Sequence, residues 1–353
     1  MKLNKILFIT VSVIVISFLG IFIFSPKKDF SEVENRYLQE FDINELDKYM
    51  SDHFPFRSGL VKIKNKVEVL MGKNLINGIY VGSDDYLIPK MVTSENRDYL
   101  IKSINNFSKD HEVDVLIAPD SIAVNDDKIN NKLSDSQKEE IEYIYSELKY
   151  SNNYNIIDCL KKHNKENQMY YKTDHHWTSY GAFYAYQEYL SKKGMESISI
   201  DEFEVKKVSD DFLGTSSSLA LGLAKKEDMY ILDKDVDVEV NYVYEEIKTN
   251  SLYNYDYLNK KDKYAMFLDN NHGLITIKNN DINDGSNLLL IKNSYANSFV
   301  PFIINHYENV HVIDLRYFGD SISKYVEDNK MDNILILYNL NNFYSDKSII
   351  RLK

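Results

Sequence analysis

The sequence predicts an α/β protein: a parallel sheet flanked by helices, with an N-terminal transmembrane anchor ahead of it and a β-rich insertion within it. Two patterns predict the sheet. Short apolar runs alternate with segments of helical period, and the runs are apolar at consecutive positions, as strands covered on both faces are. A third pattern, the uncharged stretch Ile6 to Phe24, sets the N-terminus apart.

That stretch comes first. As a helix it would span roughly 28 Å at about 1.5 Å per residue, close to the hydrocarbon thickness of a bilayer. Lys2 and Lys5 precede it, Lys27 and Lys28 follow it, and no small-x-small cleavage site ends it. It also exceeds the usual core of a cleaved signal peptide. Residues 1–25 are therefore expected to be an uncleaved signal anchor, single-pass in the cell membrane, with the rest of the chain outside. Cleavage and secretion is the alternative. Residues 26–90 follow as a polar stalk and an N-terminal subdomain. Within it, Leu60, Ile63, Val67 and Leu70 recur at helical spacing, and "GIYVGSDDYLI" predicts a strand pair turning at Gly82 to Asp85.

The α/β domain is expected over 91–353. "RDYLIKSINNFSK" is helical in period, "VDVLIA" (Val113 to Ala118) is a strand ended by Pro119, and "SDSQKEEIEYIYSELKY" is a helix with a Ser/Asp start. "YNIIDCL" reads as a second strand. "TSYGAFYAYQEYLSKKG" is a helix with Phe183, Tyr186 and Leu190 on one stripe and Gly194 as its stop. "NLLLIK", "VHVIDL" and "NILILY" are three more apolar strands. Between about 201 and 286 the pattern turns irregular and β-rich, which predicts an insertion on the rim of the sheet. No internal repeat and no low-complexity tract occurs.

The 353 residues carry a net charge of -12, a field that repels a phosphate backbone and argues against nucleic acid as a partner. The 28 Tyr could stack on sugar rings, although a general compositional bias explains them as well. The single cysteine, Cys159, can form no internal disulfide and reads as structural.

Two clusters carry chemistry. In "YYKTDHHWTSYGAFYAY", Asp174, His175 and His176 stand just ahead of a helix start at Thr178 or Ser179. In an extended chain Asp174 and His176 point to one side and His175 to the other. A carboxylate beside an imidazole fixes its tautomer and supports the imidazolium, as a general base requires. Trp177 could wall the site or stack on a substrate. Asp-His-His could also ligate a metal, but side chains diverging from an extended chain and the lack of a completing ligand argue against one. In "NLLLIKNSYANSFVPFI", Ser294 stands just past an apolar strand and ahead of a helix-like segment, where reactive groups of open α/β sheets collect. Ser298 competes but lies deeper in the expected helix. His176 oriented by Asp174 is the best-supported base for a Ser294 hydroxyl. Candidates for substrate contact or oxyanion donors are Trp177, His175, Asn293 and Tyr295, with Ser121 and Gly214 in the polar loops "APDSIAVN" and "DFLGTSSS".

The block "TDHHWTSYGAF" resembles the hallmark of the DHHW proteins, relatives of the alginate O-acetyltransferases and, more distantly, of the SGNH/GDSL hydrolases. "FSEVENRYLQEF", "DHFPFRSGLVKIKNKVEVLMGKNLINGIYVGSDDYLI", "KNSYANSFVPFI" and "VHVIDLRYF" look like family segments too, so the resemblance covers most of the chain beyond residue 30. It implies an SGNH-like fold, with Asp174 and His176 completing a triad, His175 at the variable place and Ser294 as nucleophile. In the family a Gly and an Asp or Thr precede the nucleophile; here Lys292 and Asn293 stand there. The resemblance further implies acyl transfer to or from a surface polysaccharide, an acyl donor supplied through a polytopic membrane acyltransferase, and no cofactor. A catalytically degenerate glycan-binding or polysaccharide-assembly protein is the alternative it leaves open.

Overall fold

The computed structural model describes residues 2–130 and 136–352, without the side chains of residues 2–4. The chain opens with α1 (Lys2–Phe24), in which Lys5–Phe24 is long and apolar enough to cross a bilayer and has none of its residues buried. A small ribbon of β1 (Phe30–Ser31) and β2 (Arg36–Tyr37) follows, then α2 (Leu46–Asp52) and α3 (Arg57–Leu70). β3 (Leu75–Ile76), β4 (Ile79–Val81) and β5 (Leu87–Pro89) form an antiparallel sheet that turns between 82 and 86, as the Gly82 to Asp85 cluster predicts. Its Tyr80, Tyr86 and Ile88 pack on Ile122 and Ile129 of the body.

The body begins with α4 (Arg97–Phe107), β6 (Val113–Ala118), the short α5 (Ser121–Val124) and α6 (Gln137–Glu147). The Ser136 hydroxyl caps α6 by accepting from Glu139 N at 3.3 Å; Ser134 and Asp135, also read as part of that start, lie outside the described residues. The strand expected at "YNIIDCL" is not formed. Only β7 (Asn152–Asn153) is extended, and Ile157–His163 is helical, α7. The Asn155 side chain accepts from Ile157 N at 3.0 Å and starts the turn, and the apolar pair Ile156 and Leu160, four apart, suits a helix as well as a strand. α8 (Ser179–Lys193) is capped by Thr178 and ended by Gly194 at φ 77, where an L side chain would be strained.

β8 (Glu204–Phe212) and β9 (Glu227–Asp233) pair as a separate ribbon around α9 (Thr215–Leu219). β10 (Val238–Tyr242), β11 (Ile247–Thr249) and β12 (Leu274–Asn279) join the main sheet, so the β-rich stretch is partly a continuation of it. β13 (Asn287–Lys292), α10 (Val300–Ile303), β14 (Asn309–Ile313), α11 (Ile322–Asn329), β15 (Ile334–Asn339) and α12 (Leu340–Ser345) complete the order.

The eight-stranded sheet runs β11-β10-β12-β14-β13-β15-β6-β7. β14, β13, β15, β6 and β7 are mutually parallel, whereas β12, β10 and β11 extend that edge with antiparallel pairings. The expected parallel sheet is thus a mostly parallel one. Alternate residues separate its faces. Leu288 and Leu290 meet Phe183 and Tyr186 of α8 and Phe302 of α10, while Leu289 and Ile291 meet residues of α4, α6, α11 and α12. The one acid inside β6, Asp114, is buried but satisfied, by Lys193 Nζ at 2.6 Å and Tyr189 OH at 2.7 Å.

Candidate active site

The carboxyl ends of three adjacent strands are laced together. Asn293, just past β13, donates through Nδ2 to Asn339 Oδ1 at the end of β15, and Asn339 Nδ2 donates to Asp120, just past β6. Asp120 also accepts from Gln137 Nε2 at 2.7 Å and Asn341 N at 3.1 Å. Burial pushes its carboxyl up in pKa, and these donors oppose the rise. Lys292, at the place of the family's glycine, is the last residue of β13 and keeps a negative φ, so the turn needs no glycine there; Asn293 after it is extended, with φ -112 and ψ -172. Its Oδ1 accepts from Tyr295 N at 3.3 Å and opens the 3₁₀ turn Ser294–Ser298. The strand end therefore delivers Ser294, half-buried, to the rim of the sheet.

The loop carrying Asp174 is set from below. Tyr170 and Trp177 form an isolated antiparallel bridge. The Glu227 carboxylate accepts from Lys172 N at 3.0 Å, Thr173 N at 2.8 Å, Thr173 Oγ1 at 2.7 Å and Gln168 Nε2 at 2.8 Å. Asp174 is then held through both oxygens. Oδ2 accepts from Thr215 N and Thr215 Oγ1, each at 2.7 Å, and Oδ1 accepts from His176 N at 2.9 Å. His176 Nδ1 lies 2.6 Å from Asp174 Oδ1, and its Nε2 lies 2.8 Å from Ser294 Oγ. An ionised carboxylate can only accept, so Nδ1 carries the proton and Nε2 is left to accept from the Ser294 hydroxyl. Tyr264 stacks on the His176 ring at 3.7 Å between centroids and 8° between planes, which fixes its tilt. Burial alone would raise the Asp174 carboxyl, but His175 and His176 beside it, with hydrogen bonds from His176 and Thr215, hold it well below the usual carboxylate range.

A family model described as "DHHW protein" matches residues 106–313, more than half of the chain. The chain belongs to the DHHW family. Among solved structures, a DHHW family protein from Eubacterium siraeum DSM 15702 matches with a TM-score of 0.66 at 18% identity, covering 78% of this chain and 95% of that one. PatB1 of Bacillus cereus matches with a TM-score of 0.65 at 19% identity, covering 78% and 99%. A second PatB1 structure, with a sulfonyl adduct, matches with a TM-score of 0.63 at 19% identity, covering 78% and 98%. At such identities the likeness speaks for the fold. No curated protein matches the chain.

In this DHHW protein the motif does not lie extended. Residues 173–176 bend, so the rings of His175 and His176 approach to 3.8 Å instead of diverging. Ligating atoms of Asp174, His175 and His176 all lie within 4.8 Å of one another, closer than an extended chain permits. Both His176 nitrogens and both Asp174 oxygens are already engaged in the hydrogen bonds above, which a metal would have to displace. His175 Nδ1 sits 3.1 Å from Thr215 Oγ1, and its side chain is 31% exposed. Desolvation in the cleft and the neighbouring His176 lower its pKa to about 4, so it is neutral near pH 7.

Most of the expected substrate-side residues are instead supports. Trp177 is fully buried; its Nε1 donates to Tyr295 O at 2.9 Å and Ser298 Oγ at 2.8 Å, so its ring cannot stack on a substrate. Tyr295 is also buried, with its hydroxyl on the carbonyl of His175. Both groups of the Asn293 amide are spent, Oδ1 on the turn and Nδ2 on Asn339 of β15. Ser121 is buried in α5 and its Oγ accepts from Asn125 Nδ2 at 3.0 Å. At Gly214 an added Cβ would lie 2.2 Å from the Asp174 Cβ and 2.2 Å from its Oδ2; this glycine makes room for the carboxylate. Ser298 is buried against Trp177 and Tyr264. Thr215, Glu227 and Tyr264 are the partners that sequence reasoning missed. Thr215 stands in the "DFLGTSSS" loop that reasoning had singled out for Gly214; Glu227 and Tyr264 carry no local signal.

Proposed function

We propose that this chain is a membrane-anchored, cell-surface O-acyltransferase or esterase that uses Ser294, His176 and Asp174 as a triad. The observation that carries the reading is the unbroken line Asp174–His176–Ser294 at 2.6 and 2.8 Å, with the base in the tautomer the chemistry needs. His176 Nε2 takes the Ser294 proton as Oγ bonds to the acyl carbon. The leaving group departs with that proton and an acyl-enzyme remains. A sugar hydroxyl deprotonated by His176 then attacks the acyl carbon, Ser294 Oγ leaves it and takes that proton back from His176, and the O-acyl glycan is released; water in place of the sugar gives esterase activity. We assign the oxyanion to the Ser294 N–H, the first of the 3₁₀ turn Ser294–Ser298.

Family resemblance supports O-acetyl transfer to an extracellular or cell-envelope polysaccharide, an SGNH-like architecture for residues 91–353, and a donor supplied through a polytopic membrane acyltransferase. The apolar α1 supports anchoring with the body outside. The test is hydrolysis of a chromogenic acetyl ester by the full chain beside its Ser294→Ala variant. Turnover should fall roughly 10⁴ to 10⁶-fold in the variant. His176→Ala should abolish it, and His175→Ala only reduce it. Folded wild type as inactive as Ser294→Ala, on acyl donors of several classes, would favour the degenerate binding or assembly protein. The close approach of Asp174, His175 and His176 favours one other reading, a metal-dependent enzyme. Stoichiometric metal in the pure protein, lost when both histidines are replaced, would support it in place of the triad.

A further inference from the structure

α3 presents two opposite faces. Fully buried Asn65 donates through Nδ2 to Leu221 O at 3.1 Å and seats one face on the body. Leu60, Ile63, Val67 and Leu70 recur three and four residues apart, and at about 100° per residue their stripe points away from Asn65. Their exposures are 46%, 62%, 47% and 86%, and Met71 beyond them is 81% exposed. An apolar stripe of this length turned to water is a binding face.

Two observations identify what covers it. The first is continuity with α1. The rings of Phe18 and Phe54 stack at 5.5 Å, and Phe22 meets Tyr49 edge-on at 6.3 Å. Phe18 lies six residues, or about 9 Å, inside the end of the helix at Phe24. The segment leading into α3 therefore reaches the depth of the outer part of the span. The second is charge. Arg57 to Lys73 holds five basic residues and one acidic residue in a chain whose net charge is -12. Lys64 and Lys66 flank the apolar stripe on either side by the same helical geometry. An apolar stripe edged with lysine is the signature of a helix lying in a membrane interface, its apolar side buried about 5–10 Å and its cations among anionic headgroups.

We infer that α3 lies flat in the outer membrane interface, dipping Leu60, Ile63, Val67 and Leu70 among the lipid tails. The inference rests on reading α1 as the membrane anchor. The body is then held at two points, which fixes its orientation over the bilayer, where a single helix with a flexible stalk would not.

The test uses the full chain in a Cys159→Ser background, with one cysteine at a time at Ile14 in α1, at Ile63, or at Glu142 on the body. Each variant carries an environment-sensitive fluorophore and is reconstituted into vesicles of phosphatidylcholine and phosphatidylglycerol with nitroxide-labelled tails. All three positions are exposed, so no core contact is lost. Ile14→Cys and Ile63→Cys should be quenched several-fold more than Glu142→Cys, and the Ile63 quenching should weaken when phosphatidylglycerol is omitted. Quenching at Ile14 but not at Ile63 overturns the inference and leaves the anchor standing; none at Ile14 overturns both. A blue-shifted Ile63 probe that lipid nitroxides do not quench and that responds to protein concentration would assign the face to a second copy of the chain and overturn the lipid assignment.

Discussion

Asp174 shows how much one side chain depends on the residues packed around it. Its carboxylate fills the space a Cβ on Gly214 would need, and Thr215 grips its second oxygen twice. Gly214→Ala should therefore push Asp174 off His176, costing about 1–3 kcal/mol by overpacking and most of the ester turnover. Urea midpoints and turnover measured together check this; native values for both would show that the loop relaxes without consequence. A second residue-scale effect concerns pH. His311 has its Nδ1 2.7 Å from Tyr325 OH, and burial lowers its pKa to about 4. Between that value and the ordinary 6.5 the unfolded chain binds the proton and the folded chain does not. Stability is thus complete above pH 6.5 and falls as pH drops toward 4, at up to about 1.4 kcal/mol per pH unit for this group. His175, lowered to about 4 as well, adds a slope of the same sign. Urea unfolding at a series of pH values should show a flatter profile in His311→Leu, and an unchanged slope would remove His311 as its source.

Among elements, the important junction is between the DHHW loop and the turn after β13. Trp177 makes it, by donating from the loop to Tyr295 O and Ser298 Oγ. Trp177→Phe keeps most of the ring volume but leaves the buried Tyr295 carbonyl without this donor. It should cost about 1–3 kcal/mol and lower turnover, because His176 and Ser294 ride on the two elements that lose their tie. Thermal unfolding and ester hydrolysis test this, and a drop in stability with native turnover would show that Tyr264 and Asp174 hold the base unaided. The same junction explains why the motif bends: Glu227 on β9 draws the backbone of Lys172 and Thr173 toward itself, and an extended loop could not satisfy those hydrogen bonds.

For the whole molecule, the prediction concerns where it resides. With α1 as a span, the full chain should sediment with membranes, resist a high-salt wash and be released by detergent, while external protease should digest the body in intact cells. Recovery in the wash would mean that α1 does not span. The two-sided sheet makes the body a rigid platform: the carboxyl ends of β13, β15 and β6 meet through Asn293, Asn339 and Asp120, so Ser294 is placed by three strands at once.

The sequence by itself determined what local pattern can determine. The apolar runs of β6, β13, β14 and β15, the helix α4, the helix α8 with its ends, and Ser294 at a strand end were all legible, because periodicity and caps act over a few residues. Asp174 and His176 were legible as a carboxylate close in sequence to an imidazole, but they meet through the bend at residues 173–176 and not through the extended chain their spacing suggested. The apolar run at 154–160 was not legible, since Ile156, Ile157 and Leu160 fit either period. Strand order, the antiparallel extension by β10 to β12, and the burial of Trp177, Tyr295, Asn293 and Ser121 were decided only by tertiary structure. The reason is physical: His176 meets Ser294 across 118 residues and Asp174 meets Thr215 across 41, and such contacts exist only once the sheet has ordered its strands and brought the two loops to one edge.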